Sequence, residues 1–371
     1  MVKELVIHLG DCKTGSTAIQ TCLMGKGYEL PKGSIHYPAR FNHIPLAHSL
    51  SDQKMMAADR EQMEDRFLQV AAALDDSDAD WGIISAEVFE FISPFRLRDA
   101  LKRFMPQYED RTRLISYVRP HHSKVLSAFA EQLKKTGGPK NMGILFDRRV
   151  ANGSLLYHKR FSQWREAFGP AFTLRPFIRE QLVSGDVVAD FFAFVTGDDT
   201  IKTYTPEHSN SSLSMRNLMM LKAVHARMAE HPELNDVLLK RVQDDLGWHI
   251  APYLSANEPA KPVRLQMHRG LAQKIRKECG EDARLLDADF FEGTPMTEAL
   301  DEAPAQALEK PQSLRPADYF DPAELGIIRG WADFMSNIIA LEPEHFFWAV
   351  RRDAEEKVSA LASQIGAATK E

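Results

Sequence analysis

The chain has 371 residues, 44% hydrophobic and 26% charged, with 20 glycines and 20 prolines; this is the make-up of one large globular domain with appendages, or of two domains. A formal net charge of −6 argues against nucleic acid or an anionic membrane as the main partner, while leaving room for one basic cleft. Three cysteines (Cys12, Cys22, Cys279) are too few and too odd for a disulfide framework. With no run of membrane-spanning length and no signal-peptide pattern, the expectation is a cytoplasmic protein without stable membrane insertion.

In chain order, "ELVIHLG" (4–10) predicts a short buried strand and "STAIQTCLMGKG" after it a helix. "EDRFLQVAAALDD" has helical spacing and precedes a second strand in "WGIISAEVFEFI" (81–92), ending near Ser85 and Glu87. "RTRLISYVRP" (111–120) is a third strand, stopped by Pro120 and followed by the helix "SKVLSAFAEQLKK". "AFTLRPFIRE" (171–180) is a fourth, followed by "VVADFFAFVTG". Alternation of this kind implies a parallel sheet with helices on both faces. The fold class expected is α/β: a P-loop-like parallel sheet core over residues 1–200, with a largely helical portion over 201–371 packed on it. In that second part "SLSMRNLMMLKAVHARMAEH" and "AELGIIRGWADFMSNIIA" read as helices. "NEPAKPVRLQ" and "ALDEAPAQALEKPQSLRPADYFDP", rich in Pro, Ala and acids, read as surface loops. Ligands in such sheets bind beyond the carboxyl ends of the strands, so Lys13, Glu87 and Arg119 should gather at one edge.

"HLGDCKTGST" (8–17) has the glycine spacing of a phosphate loop, Gly10 and Gly15, but Ser16 stands where a Walker loop has its lysine, and the lysine is moved inside to Lys13. Strand, glycine turn and helix N-terminus still make an anion site, to which Thr14, Ser16 and Thr17 add hydroxyls and Lys13 a charge. That set suits a terminal 5′-phosphate group better than a metal-chelated triphosphate. An incidental strand–turn–helix is the bland alternative, and it must explain one lysine, two glycines and three hydroxyls at once.

"KTGST" after "HLG" resembles the 5′-phosphosulfate loop of sulfotransferases that use 3′-phosphoadenosine 5′-phosphosulfate (PAPS), in the bacterial branch distantly related to the Golgi carbohydrate enzymes. The resemblance implies a lysine before the glycine, transfer without a metal, and release of adenosine 3′,5′-bisphosphate. It also implies a second signature, an arginine at a strand end and a serine on the next helix gripping the 3′-phosphate. "SYVRPHHSKVLSAFAEQ" supplies Arg119 and Ser127. Arginine's planar fork donates two parallel hydrogen bonds to a phosphate. Weaker echoes are "GSIHYPARFNHIPLAHSL" (33–50), "FGPAFTLRPFIREQLVSGDVVADFF" and "NSSLS" (210–214). Cys12 departs from the proline common before the loop lysine and is expected to place an alkylatable thiol at the cofactor mouth.

Transfer to an alcohol needs a base for its proton and cations for the charge left on the phosphate. Lys13 is the candidate for the bridging oxygen and the 5′-phosphate. Three residues compete as base: His43, in a stretch resembling the family's histidine segment; Glu87, at the expected active edge; and His48, five residues past His43. Each also has a bland reading, a capping histidine or a carboxylate that merely binds Lys13 or Arg119. His121 and His122 invite a metal reading but lack distant partners and are taken as helix-start residues; His8 is taken as packed beneath the loop. The expected acceptor bears a hydroxyl, with the resemblance favouring a saccharide or glycolipid over a small alcohol or other lipid. A P-loop kinase with a degenerate loop is the alternative, and a non-catalytic nucleotide binder is a third class. The oligomeric state is left open.

Overall fold

The structure is a computed structural model that describes residues 1–204, 212–352, 356 and 360. Part of the "NSSLS" echo, residues 210–211, lies outside them.

β1 (Glu4–Gly10) leads through a loop bounded by Gly10 and Gly15 into α1 (Ser16–Gly25). Two short strands, β2 (Tyr28–Glu29) and β3 (Ile35–His36), precede α2 (Ile44–Ser49), α3 (Ala57–Glu61) and α4 (Met63–Asp75). Next come β4 (Trp81–Ser85), α5 (Pro94–Phe104), β5 (Thr112–Val118) and α6 (His121–Thr136). α7 (Met142–Ala151) and α8 (Tyr157–Phe168) lead to β6 (Phe172–Pro176), α9 (Val187–Thr196) and β7 (Lys202–Thr203). The rest is helical: α10 (Met215–Met228), α11 (Asp236–Ala256), α12 (Arg269–Phe290), α13 (Pro295–Gln306) and α14 (Pro322–Leu341).

The main sheet has five strands in the order β3-β4-β1-β5-β6, all paired in parallel. β2 and β7 form a separate antiparallel pair. Alternation along β1 sends Leu5, Ile7 and Leu9 to one face and Val6 to the other. Each face is covered. α1 and α9 pack with Val6, Ile83, Ile115 and Tyr117 on one side. On the other, Leu114 and Val118 share a core with side chains of α10, α12 and α13. The helical C-terminal part therefore completes one layer of the sheet's own core.

All four predicted strands are present and start within a residue of their expected positions; the third stops two residues short, at Val118, and the fourth four residues short, at Pro176. β3 went unseen because two residues carry no periodicity. One expected loop is a helix: α13 runs through "EALDEAPAQ" despite Pro304. Alanine, glutamate and leucine favour a helix, Pro295 sits at its first turn where proline is tolerated, and Met296, Leu300 and Ala303 are buried. Composition alone mistook that stretch for surface loop.

Candidate functional site

β4, β1 and β5 are neighbours, and their carboxyl ends carry Glu87, the loop 10–15 and Arg119 respectively. Chain order reverses around β1, the position where open α/β sheets leave a crevice. Gly10 and Gly15 both adopt positive φ (72° and 84°), and a side chain on Gly10 would run into the Glu87 backbone. Lys13 also stands in the left-handed region (φ 71°), a strained choice for a residue with a Cβ.

A buried ion quartet holds that strain. The Lys124 ammonium donates to Asp11 Oδ2 (2.9 Å), Glu90 Oε1 (3.0 Å) and the Cys12 carbonyl (2.8 Å). Arg160 Nη1 donates to Asp11 Oδ1 at 2.6 Å, and the Cys12 N–H donates to Glu90 Oε2 at 2.9 Å. Both ends of the Cys12 residue are thus gripped by charges. Burial alone would raise the Asp11 carboxyl, but Arg160 and Lys124 hold it below the usual range. The Cys12 thiol is pushed well up, by burial first and the Glu90 carboxylate second. The expected reactive thiol at the mouth is therefore a half-buried, protonated one.

The loop leaves donors unused. Gly15 caps α1 without a side-chain bond, and the N–H groups of Lys13, Gly15, Ser16 and Thr17 have no acceptor among the described residues. The Ser16 hydroxyl is buried with no partner. Thr14 is different: its hydroxyl donates to the Asp11 carbonyl at 2.6 Å and its N–H points to the same oxygen. Thr14, expected from sequence among the cofactor-binding residues, thus has both its donors engaged by the turn.

The Lys13 ammonium lies 2.7 Å from Glu131 Oε2 and 5.7 Å from the Trp248 ring centroid. Lys134 and Lys135 reach the same carboxylate, at 2.8 and 3.3 Å, and the same ring, at 4.6 and 5.2 Å. Three ammoniums share one carboxylate. Burial would raise Glu131, but Lys13 and Lys134 bring it down to about 2. Burial in turn lowers Lys134, with Glu131 opposing.

Arg119 is half-buried at the end of β5 with no carboxylate partner among the described residues. Its Nη1 donates to Ser123 Oγ at 3.4 Å, its guanidinium covers the Phe177 ring at 4.6 Å, and its Nε is buried without a partner. Burial lowers its pKa, as expected for a cation lacking a counter-charge. Ser127 lies one turn beyond Ser123 on the same face of α6. Ser123 was missed from sequence, though its four-residue step from both Arg119 and Ser127 was there to be seen.

The candidate bases separate. His43 is 4% exposed, and the Ser85 N–H donates to its Nδ1 at 3.2 Å, which leaves the neutral ring's proton on Nε2. Burial lowers it to about 4. Its acceptor nitrogen is engaged, so for His43 to serve as the expected base the Ser85 bond would first have to open. His48 is half-buried near the end of α2, on the helix that His43 opens. Glu87 sits beside the loop, with Oε2 accepting from Gln20 Nε2 at 3.0 Å. Gln20 Nε2 also reaches Ser85 Oγ (3.2 Å), which pairs with His8 Nδ1 (2.8 Å). His8 is wholly buried and lowered to about 3 by burial, the packed residue expected. His121 opens α6, with Nε2 against Asp282 Oδ2 at 2.9 Å and its ring stacked on Tyr157.

No sequence signal joined Glu131, Trp248, Lys124, Glu90 or Arg160 to the loop, because each contact spans tens to more than two hundred positions. Compared with family models, with curated proteins and with solved structures, the chain matches none.

Proposed function

We propose that this chain is a PAPS-dependent sulfotransferase acting on a hydroxyl acceptor. The observation that carries the reading is a pair of anion anchors with unused donors at adjacent strand ends. One is the loop with its free N–H groups and the orphaned Ser16 hydroxyl. The other is Arg119, whose Nε is buried and unpartnered. A ligand with a 5′-phosphate and a separate 3′-phosphate would satisfy both, and a simple mononucleotide only one.

Bound there, PAPS supplies an activated sulfuryl group whose departure leaves negative charge on the 5′-phosphate. The loop N–H groups, Ser16 and Thr17 would hold that phosphate, and Lys13, with donors to spare beyond the one on Glu131, would neutralise it. Arg119, Ser123 and Ser127 would hold the 3′-phosphate. Glu87 is the residue we assign to take the acceptor's proton, since its Oε1 is unengaged while Gln20 fixes Oε2. A saccharide or glycolipid is the acceptor class that the family resemblance favours.

The test is titration calorimetry with adenosine 3′,5′-bisphosphate, beside magnesium-ATP and beside Arg119→Ala. Micromolar binding of the bisphosphate, weakened at least tenfold in the variant and stronger than ATP, is the expected result. Indifference to the 3′-phosphate, or preference for magnesium-ATP, would overturn the reading and promote the phosphotransferase that the glycine spacing also allows.

A further inference from the structure

Helix α14 turns Ala332, Ser336 and Ile339 inward, where Ala332 and Ile339 join Val224, Met228, Val242 and Leu246 in a small core of α10 and α11. Its outer face carries Ile327, Trp331, Phe334, Ile338 and Leu341, each more than half exposed. Their steps are four, three, four and three residues, the repeat of a seam made to meet another helix. Trp348, seven residues past Leu341, is also more than half exposed.

Two further features belong to the same face. Gly326 and Gly330 lie one turn apart inside the helix, and a Cβ at either would meet nothing within 4 Å. Each glycine costs an exposed helix about 1 kcal/mol relative to alanine, and no packing among the described residues uses the space. A flat strip of this kind lets a second helix approach closely. No Asp, Glu, Lys or Arg stands among these positions; Glu324, one step before Ile327 on the same repeat, is paired with Arg216, and Asn337 beside the strip is paired with His231. The five apolar side chains of this face leave on the order of 600 Å² exposed, the lower end of what each partner of a stable interface buries and as much as the largest patch an ordinary monomer leaves bare.

We infer that the chain forms a homodimer through the α14 face, pairing with the same face of a second copy. A strip that is apolar from Ile327 to Leu341 offers nothing to a charged partner and matches its own copy, as a two-fold interface requires. Phe334 lies at the middle of the seam and meets its counterpart whichever way the two helices run. The proposal is independent of the catalytic reading.

Sedimentation equilibrium of the full chain, from low to high micromolar, is expected to give twice the chain mass. The double variant Trp331→Glu, Phe334→Glu is expected to give the monomer mass with an unchanged circular dichroism spectrum, since both side chains are exposed. A second variant, Phe334→Cys, is expected to form an intermolecular disulfide under mild oxidation that the parent chain does not form. A parent that stays monomeric at every concentration overturns the proposal, as does a dimer that survives the double substitution. A parent that becomes dimeric only after removal of residues 353–371 assigns the face to the chain's own end, and also overturns it.

Discussion

At the residue scale, Lys13 shows how strain and charge are combined. Its left-handed φ is held by bonds to both sides of Cys12, and its ammonium is aimed by Glu131 from a helix more than a hundred residues away. The positive-φ glycines and the strand-end positions of Lys13 and Arg119 could be anticipated from sequence because turn geometry restricts residue type locally. The fate of His43 could not. Its ring lies against the end of β4, and only the folded sheet brings Ser85 to it. Glu87→Gln is therefore expected to lower the transfer rate by roughly two to four orders of magnitude, with bisphosphate affinity unchanged. His43→Gln is expected to leave the rate within a few-fold. An assay of bisphosphate release with a hydroxyl acceptor checks both, and the reverse ranking would return the role of base to His43.

At the element scale, α6 connects the Arg119 end of β5 with the surroundings of Lys13. Arg119 precedes it, Ser123 and Ser127 follow along one face, and Glu131, Lys134 and Lys135 close its last turns around Lys13 and Trp248. The amphipathic pattern announced the helix, but not that α11 would lie against its end. Gly247 makes that approach possible: a Cβ there would collide with the Lys134 carbonyl and the Lys135 backbone. Gly247→Ala should thus force α11 away, costing about 1–3 kcal/mol as overpacking does and moving Trp248 off the lysines. Urea denaturation followed by tryptophan fluorescence would register both effects; an unchanged midpoint and spectrum would show the contact to be unimportant.

At the scale of the whole molecule, acid should loosen the fold before it affects ionic contacts at the surface. Burial lowers His8 to about 3 and His43 to about 4, from an ordinary value of 6.5. Their neutral forms contribute fully above pH 6.5. Below it the unfolded chain takes up protons that the folded chain refuses, so stability falls until the native rings protonate. At about 1.4 kcal/mol per pKa unit, His43 contributes roughly 3 kcal/mol. Glu131 acts in the same direction but lower, its contribution complete above the ordinary glutamate range and lost as pH falls through about 2. The urea midpoint is expected to drop steadily between pH 6.5 and 4, and less steeply in His43→Gln. A flat profile over that window would contradict the burial of both rings.

The division between what the chain announces and what folding adds follows from the range of the interactions. Sequence by itself determined the parallel α/β layering, the strand ends that bear Lys13, Glu87 and Arg119, and the glycine turn of the loop. Each of these depends on periodicity, turn geometry or residue chemistry within about ten positions. Tertiary structure decided which donors are already used, as for Thr14 and His43, and which are left free, as for Ser16 and Arg119. It also decided that Glu131 and Trp248 belong to the loop lysine, and that one face of α14 lies bare. Those outcomes depend on contacts between distant segments, which no local pattern encodes.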